Sequence, residues 1–143
     1  MALKAGSIFK KVKLKDGTVA ILRAPKWEDV DEFLAFINGL IDEGDLYIGV
    51  QTKPTWEQEL DWLANGLAKI EKGEAVTCVA EVAGHVVGNS SVTKKSGVQS
   101  HVGELDISVQ KDYRDSGLGT AMMKVLIEEA RKMGLQIVLL NVF

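Results

Sequence analysis

An α+β fold, a mostly antiparallel sheet finished by one βαβ unit, is predicted by three features of the sequence. Short alternating strands punctuated by turn signals occupy residues 75–109. Two stretches before them, 27–44 and 54–73, repeat apolar residues at i, i+3, i+4 and i+7, the period of a helix with one buried face. After them a glycine-rich helix entry leads to QIVLLNVF at 136–143, apolar on both faces, as a strand running parallel to its neighbour is.

Residues 10–14 and 18–23 flank Lys15-Asp16-Gly17 and read as a hairpin. Pro25 ends the second strand, and Val30, Phe33, Leu34, Ile37, Leu40 and Ile41 mark the inner face of the first helix, which stops near Gly44. Residues 45–54, carrying Tyr47, form a loop or short extended piece of the kind that lines a site. The second helix opens at Pro54-Thr55-Trp56 and buries Leu60, Leu63, Leu67 and Ile70; Trp56 and Trp62 read as helix-packing residues. Strands 75–82, 85–93 and 101–109 follow, the first two joined by Ala83-Gly84, as an antiparallel meander. A helix over 117–133 has Met122, Val125, Leu126, Ala130 and Met133 inward, and Gly134 caps its end.

The chain has 143 residues, enough for one domain with a real core, and at 46% hydrophobic and 26% charged it has an ordinary globular composition. No apolar run approaches the roughly 20 residues that span a bilayer, and the start lacks a signal-peptide core, so a cytoplasmic protein without a membrane partner is expected. Cys78, the only cysteine, reads as a small core residue, and His85 and His101 do not form a ligand pair, so no metal is expected. A net charge of −3 argues against a nucleic-acid partner. The charge is uneven: lysines 4, 10, 11, 13 and 15 crowd the start, while 27–74 holds 12 acidic and 3 basic residues. That acidic stretch is either a solvated pair of helices or a face that attracts cationic amines.

The chemistry is concentrated in 107–123, ISVQKDYRDSGLGTAMM. A strand ends at Val109, a polar turn follows, and Arg114-x-x-Gly117-x-Gly119 opens a helix. The first turn of a helix has N–H groups without intrahelical partners and the positive end of the macrodipole, so it stabilises a phosphate. Gly117 and Gly119 admit the ligand to the backbone, and Arg114 adds a cation with forked donors. A P-loop is excluded, because Gly119 is followed by Thr120 and Ala121 rather than Lys-Ser/Thr. A dinucleotide fingerprint is excluded by Met122 at the third small position and by the lack of an acid around 139–142. A phosphate cradle at the C-terminal end of a strand remains.

On these residues the chain resembles the GNAT superfamily of acyl-CoA-dependent N-acetyltransferases. The resemblance runs from the first hairpin to the last strand, and is most specific over GELDISVQKDYRDSGLGTAMMKVLIEEARKMGLQIVLLNV, which is similar to the family's fourth strand, pyrophosphate loop, third helix and fifth strand. It implies a single GNAT-like domain over 1–143 and a V-shaped splay between the fourth and fifth strands, here 104–109 and 136–142. It implies acetyl-CoA as co-substrate, its pyrophosphate held by backbone N–H groups of Arg114, Asp115, Ser116, Gly117, Leu118, Gly119 and Thr120. The pantetheine arm would pair with backbone at Ile107 and Val109, one N–H of which polarises the thioester carbonyl.

Transfer to a primary amine, on a small molecule or a protein, needs a base to take a proton from the ammonium. Glu104 falls at a common base position of the family. Asp106, where related sequences often carry glycine, is a departure that either bears on Glu104 by like-charge repulsion or faces solvent. The family usually continues beyond Asn141-Val142 with a tyrosine-bearing helix and two strands, so the domain reads as truncated, and neither Tyr47 nor Tyr113 matches that tyrosine, which leaves the general acid unassigned. The implied function is an N-acetyltransferase; the alternative is a non-catalytic CoA-binding or regulatory module. An apolar last strand without its usual neighbours also implies a homodimer or strand-exchanged oligomer.

Overall fold

The computed structural model describes residues 5–43, 53–95, 97 and 101–142. The expected loop with Tyr47 lies outside the described residues, apart from its last two positions. A six-stranded sheet in sequential order holds β1 (Ile8–Lys13), β2 (Val19–Arg23), β3 (Ala75–Val82), β4 (His85–Lys94), β5 (Val102–Val109) and β6 (Ile137–Val142). The first five strands are antiparallel and β6 joins β5 in parallel, as the apolar run at 136–143 suggested. Helices α1 (Val30–Glu43) and α2 (Trp56–Glu71) cover one face, and α3 (Leu118–Lys132) covers the other.

Two cores result. Leu22, Cys78, Ala80, Val92, Leu105, Met122 and Leu126 are buried between the sheet and α3, while Phe33, Phe36, Leu40, Leu63, Val79 and Val86 are buried beneath α1 and α2. Cys78 is fully buried there, and burial pushes its thiol up to about 12, so it is the inert core residue expected. Phe36, unmarked by the sequence periodicity, is buried, whereas Leu34, Ile37 and Ile41 are only partly covered. Trp56 and Trp62 are about half exposed, each held along one edge: the Trp56 indole N–H donates to Asp31 at 2.8 Å, and Trp62 meets Phe33 edge-on at 5.3 Å.

The start of α1 is pinned by a buried ion pair. Arg23 donates two hydrogen bonds of 2.8 Å to Asp29 and a third of 3.0 Å to Glu81 of β3, tying β2, β3 and the 3-10 turn Trp27–Asp29 together. The start of α2 is a reciprocal cap. The Thr55 hydroxyl accepts from the Gln58 N–H, and the Gln58 side chain accepts from the Thr55 N–H.

A bulge in β4 decides which residues face which core. The register with β3 jumps from Glu81↔Val86 to Ala80↔Gly88, leaving Val87 as the extra residue. Val86 therefore packs under α1, Val87 packs toward α3, and a Cβ on Gly88 would stand 3.2 Å from the Met122 sulfur of α3. From that point Asn89 turns toward α1 and α2.

Candidate active site

The cradle forms where β5 ends. Gln110 donates its N–H to Val87, and a 3-10 turn at Lys111–Tyr113 leads into Asp115 and Gly117, both with left-handed φ (60° and 93°). Gly117 is the N-cap of α3, and the first bond of the helix runs from the Ala121 N–H to the Gly117 carbonyl at 3.1 Å. The N–H groups of Gly119 and Thr120 have no acceptor among the described residues, and that of Leu118 has only the Ser116 hydroxyl at 3.4 Å. A Cβ on Gly117 or Gly119 would meet no neighbouring group within 4 Å, so the space over these amides is open. Such a floor fits a pyrophosphate. The Ser116 carbonyl accepts from the Lys15 N–H at 3.2 Å, which brings the lysine-bearing β1–β2 turn against the cradle.

Arg114 has a different place from the one its motif suggested. Its Nε donates to the Val109 carbonyl at 3.0 Å and its Nη2 pairs with Glu43, at the end of α1. Glu43 also accepts from the Lys111 N–H at 2.8 Å. The Arg114 N–H donates back to Lys111, so the run of free amides expected from Arg114 to Thr120 begins only after Arg114. An arginine fork matches a carboxylate well, and Glu43 supplies one within reach; the side chain thereby becomes a strut between α1, β5 and the loop.

The register shows how far β5 and β6 stay together before the end of β5. The strands pair in parallel from Val102↔Ile137 to Ile107↔Val142, because the apolar run of β6 is long enough to follow β5 that far. Ile107 is thus opposite Val142, and only Ser108 and Val109 lie past the last described pair. Those two residues mark where an added chain could lie beside β5.

Alternation places Leu105, Ile107 and Val109 toward α3 and Glu104, Asp106 and Ser108 toward α1 and α2. Opposite them on β4 stand Thr93, Ser91 and Asn89, so a polar strip crosses the sheet under α1 and α2. Glu104 is half exposed and pairs with Lys95 at 3.1 Å. The strip ends at a cavity of about 340 Å³. Its apolar wall is Phe33, Phe36, Ile37, Leu40 and Trp62. Its polar groups are Gln58, Glu59, Asn89 and Ser108.

Sequence reasoning missed two of these groups. Glu59 is 7% exposed and has no hydrogen-bonding or ionic partner for its carboxylate among the described residues; burial pushes the carboxyl above its ordinary value. The Asn89 amide oxygen is buried without a donor. The available signal for Glu59 was its spacing: it stands four residues before Leu63, on the stripe that α2 otherwise fills with apolar side chains.

The fold recurs in known proteins. An acetyltransferase of the GNAT family from Streptococcus pneumoniae matches with a TM-score of 0.70 and 24% identity, over 86% of this chain and 73% of that one. A ribosomal-protein-alanine N-acetyltransferase from Brucella melitensis matches with a TM-score of 0.69 and 29% identity, over 83% of this chain and 72% of that one. YncA, a putative acetyltransferase from Salmonella typhimurium solved with acetyl-CoA, matches with a TM-score of 0.69 and 20% identity, over 85% and 68%. The model of the acetyltransferase (GNAT) family matches residues 36–143, a span that takes in the last eight residues of α1, the cavity residues other than Phe33, the polar strip and the cradle, and the chain belongs to that family.

Proposed function

We propose that the protein is an acyl-CoA-dependent N-acetyltransferase that moves the acetyl group of acetyl-CoA to a primary amine, on a small molecule or on a protein. The observation that carries the reading is the cradle: amides at the start of α3 without a partner among the described residues, open space over Gly117 and Gly119, and beside them the end of β5 past its last described pair with β6. Asp115, Ser116, Gly117, Leu118, Gly119 and Thr120 would hold the pyrophosphate, with Arg114 bracing the loop. Backbone at Ile107 to Val109 would take the pantetheine arm and polarise the thioester carbonyl.

Acetyl-CoA supplies an activated acyl group, and the chain's task is to place a neutral amine against it. The proton lost by the ammonium goes to a carboxylate, the amine nitrogen then forms the new C–N bond, and as the C–S bond breaks CoA leaves as the thiolate and takes up the second proton that the nitrogen gives up. Glu104 is the base in this reading, with the strip of Asp106 and Ser108 leading from it to the cavity, directly or by way of water. We include in the proposal a cytoplasmic protein that pairs as a homodimer or strand-exchanged assembly through β6, one edge of the described sheet.

The test is acetyl-CoA turnover over a panel of amines, measured beside CoA binding by thermal shift. Binding with turnover is expected; binding without turnover with any amine identifies a non-catalytic CoA-binding module instead. Within an active enzyme, Glu104→Gln should lower turnover about a hundredfold or more at neutral pH, and less at high pH where the amine is already deprotonated.

A further inference from the structure

The cavity beneath α1 and α2 combines features that select a substrate. Phe33, Phe36, Ile37, Leu40 and Trp62 give it an apolar wall, and at about 340 Å³ it lies near the lower end of small-molecule pockets, which run from roughly 300 to 1,000 Å³. Into this wall α2 sets one carboxylate. Glu59 is the only titratable side chain among the described lining residues, and no described cation pairs with it. A buried carboxylate without a partner is costly, and its one local compensation is the positive end of α2, in whose first turn it stands. The Glu59 carboxylate, with no hydrogen-bonding partner among the described residues, is the acceptor that the cavity offers to a compact group rich in N–H donors.

We propose that this cavity takes a primary amine carried on an apolar or aromatic body, with Glu59 receiving the ammonium head. The inference rests on the acetyltransferase reading and adds to it the class of acceptor. The ammonium gives the Glu59 carboxylate its missing partner, and the carboxylate in turn offsets the desolvation of the ammonium. The apolar body fills the space between Phe36 and Leu40, and the Trp62 ring adds a face to which a cation is attracted. Ser108 lines the same cavity and belongs to the stretch of β5 beyond its last described pair with β6, so a captured amine lies next to the strand proposed for the acyl donor. Polar amines without such a body gain the carboxylate but leave the wall unfilled.

The experiment compares 2-phenylethylamine, its neutral counterpart 2-phenylethanol and the polar amine ethanolamine as probes, by calorimetric titration of the parent protein and of Glu59→Gln. The parent should bind the aromatic amine at least about tenfold more tightly than either other probe, the size expected for one charge-assisted contact. Glu59→Gln should lose the preference for amine over alcohol, with CoA binding unchanged. Equal binding of amine and alcohol by the parent, or a preference that survives in Glu59→Gln, overturns the inference. If the variant does not fold, the amine and alcohol titrations of the parent decide alone. Because these are binding measurements, they fail separately from the catalytic reading: a protein that binds CoA and acetylates only polar amines refutes the acceptor class and leaves the acetyltransferase, whereas one that binds neither CoA nor any amine refutes both.

Discussion

At Gly119 the backbone conformation is ordinary for any residue and no neighbouring group stands within 4 Å of a new Cβ, so Gly119→Glu should fold. A glutamate there also has better helix propensity by about 0.5–1 kcal/mol and favours the positive end of α3. Its charge and bulk nevertheless occupy the phosphate position. The expected outcome is a melting temperature equal to or above the parent's together with loss of CoA binding, both read by thermal shift. Glu59 offers a second separation of stability from function. Burial raises its carboxyl above the unfolded-state value, so the folded form binds more protons across that window and stability falls as pH rises through it. The lining residues from α1, β4 and β5 include no titratable group that could offset this. Glu59→Gln should therefore melt higher than the parent at neutral pH, with the difference vanishing once pH drops below the ordinary glutamate range. A pH-independent difference would show that the carboxylate is not held desolvated.

The elements depend on a few polar struts. Asp29 is almost fully buried against Arg23, and removing it by Asp29→Ala leaves the buried guanidinium with Glu81 as its one carboxylate among the described residues, a change that should cost about 2–4 kcal/mol in chemical denaturation. Glu43 joins the end of α1 to the cradle loop through Lys111 and Arg114. Glu43→Ala should weaken CoA binding several-fold while leaving the α3 amides in place, since it frees the loop without filling it. β5 is packed closely at its start, where a Cβ on Gly103 would come within 2.9 Å of Val92 and 2.6 Å of Leu135, so Gly103→Ala should cost about 1–3 kcal/mol. Most of these elements were legible in the sequence because periodicity and turn chemistry are local: the Ala83-Gly84 turn, the apolar stripe of α3 and the last parallel strand all follow from neighbouring residues. The role of Arg114 was not, since its partner Glu43 is 71 positions away. Nor was the bulge at Val87, which breaks an alternation that looks regular as written.

For the whole molecule, the sheet divides the work between two faces. The cradle begins α3 on one side, and the cavity lies under α1 and α2 on the other, with the end of β5 between them. The candidate cradle could be proposed from the sequence because six adjacent residues make it up. The cavity could not, because Phe33, Glu59, Asn89 and Ser108 come from four elements and meet only when the sheet is assembled. Strand pairing through β6 would add a second copy at the sheet edge. Sedimentation over a concentration series should then show a dimer, and a monomer at every concentration would remove that part of the proposal. In the function proposed, the faces are joined by transfer of an acetyl group from the cradle side to an amine in the cavity. The most direct measurement follows label from acetyl-labelled acetyl-CoA into 2-phenylethylamine, with the parent and with Gly119→Glu side by side. Labelled amide formed by the parent and not by the variant is the expected result. No labelled amide from the parent, or equal amounts from the two proteins, would contradict it.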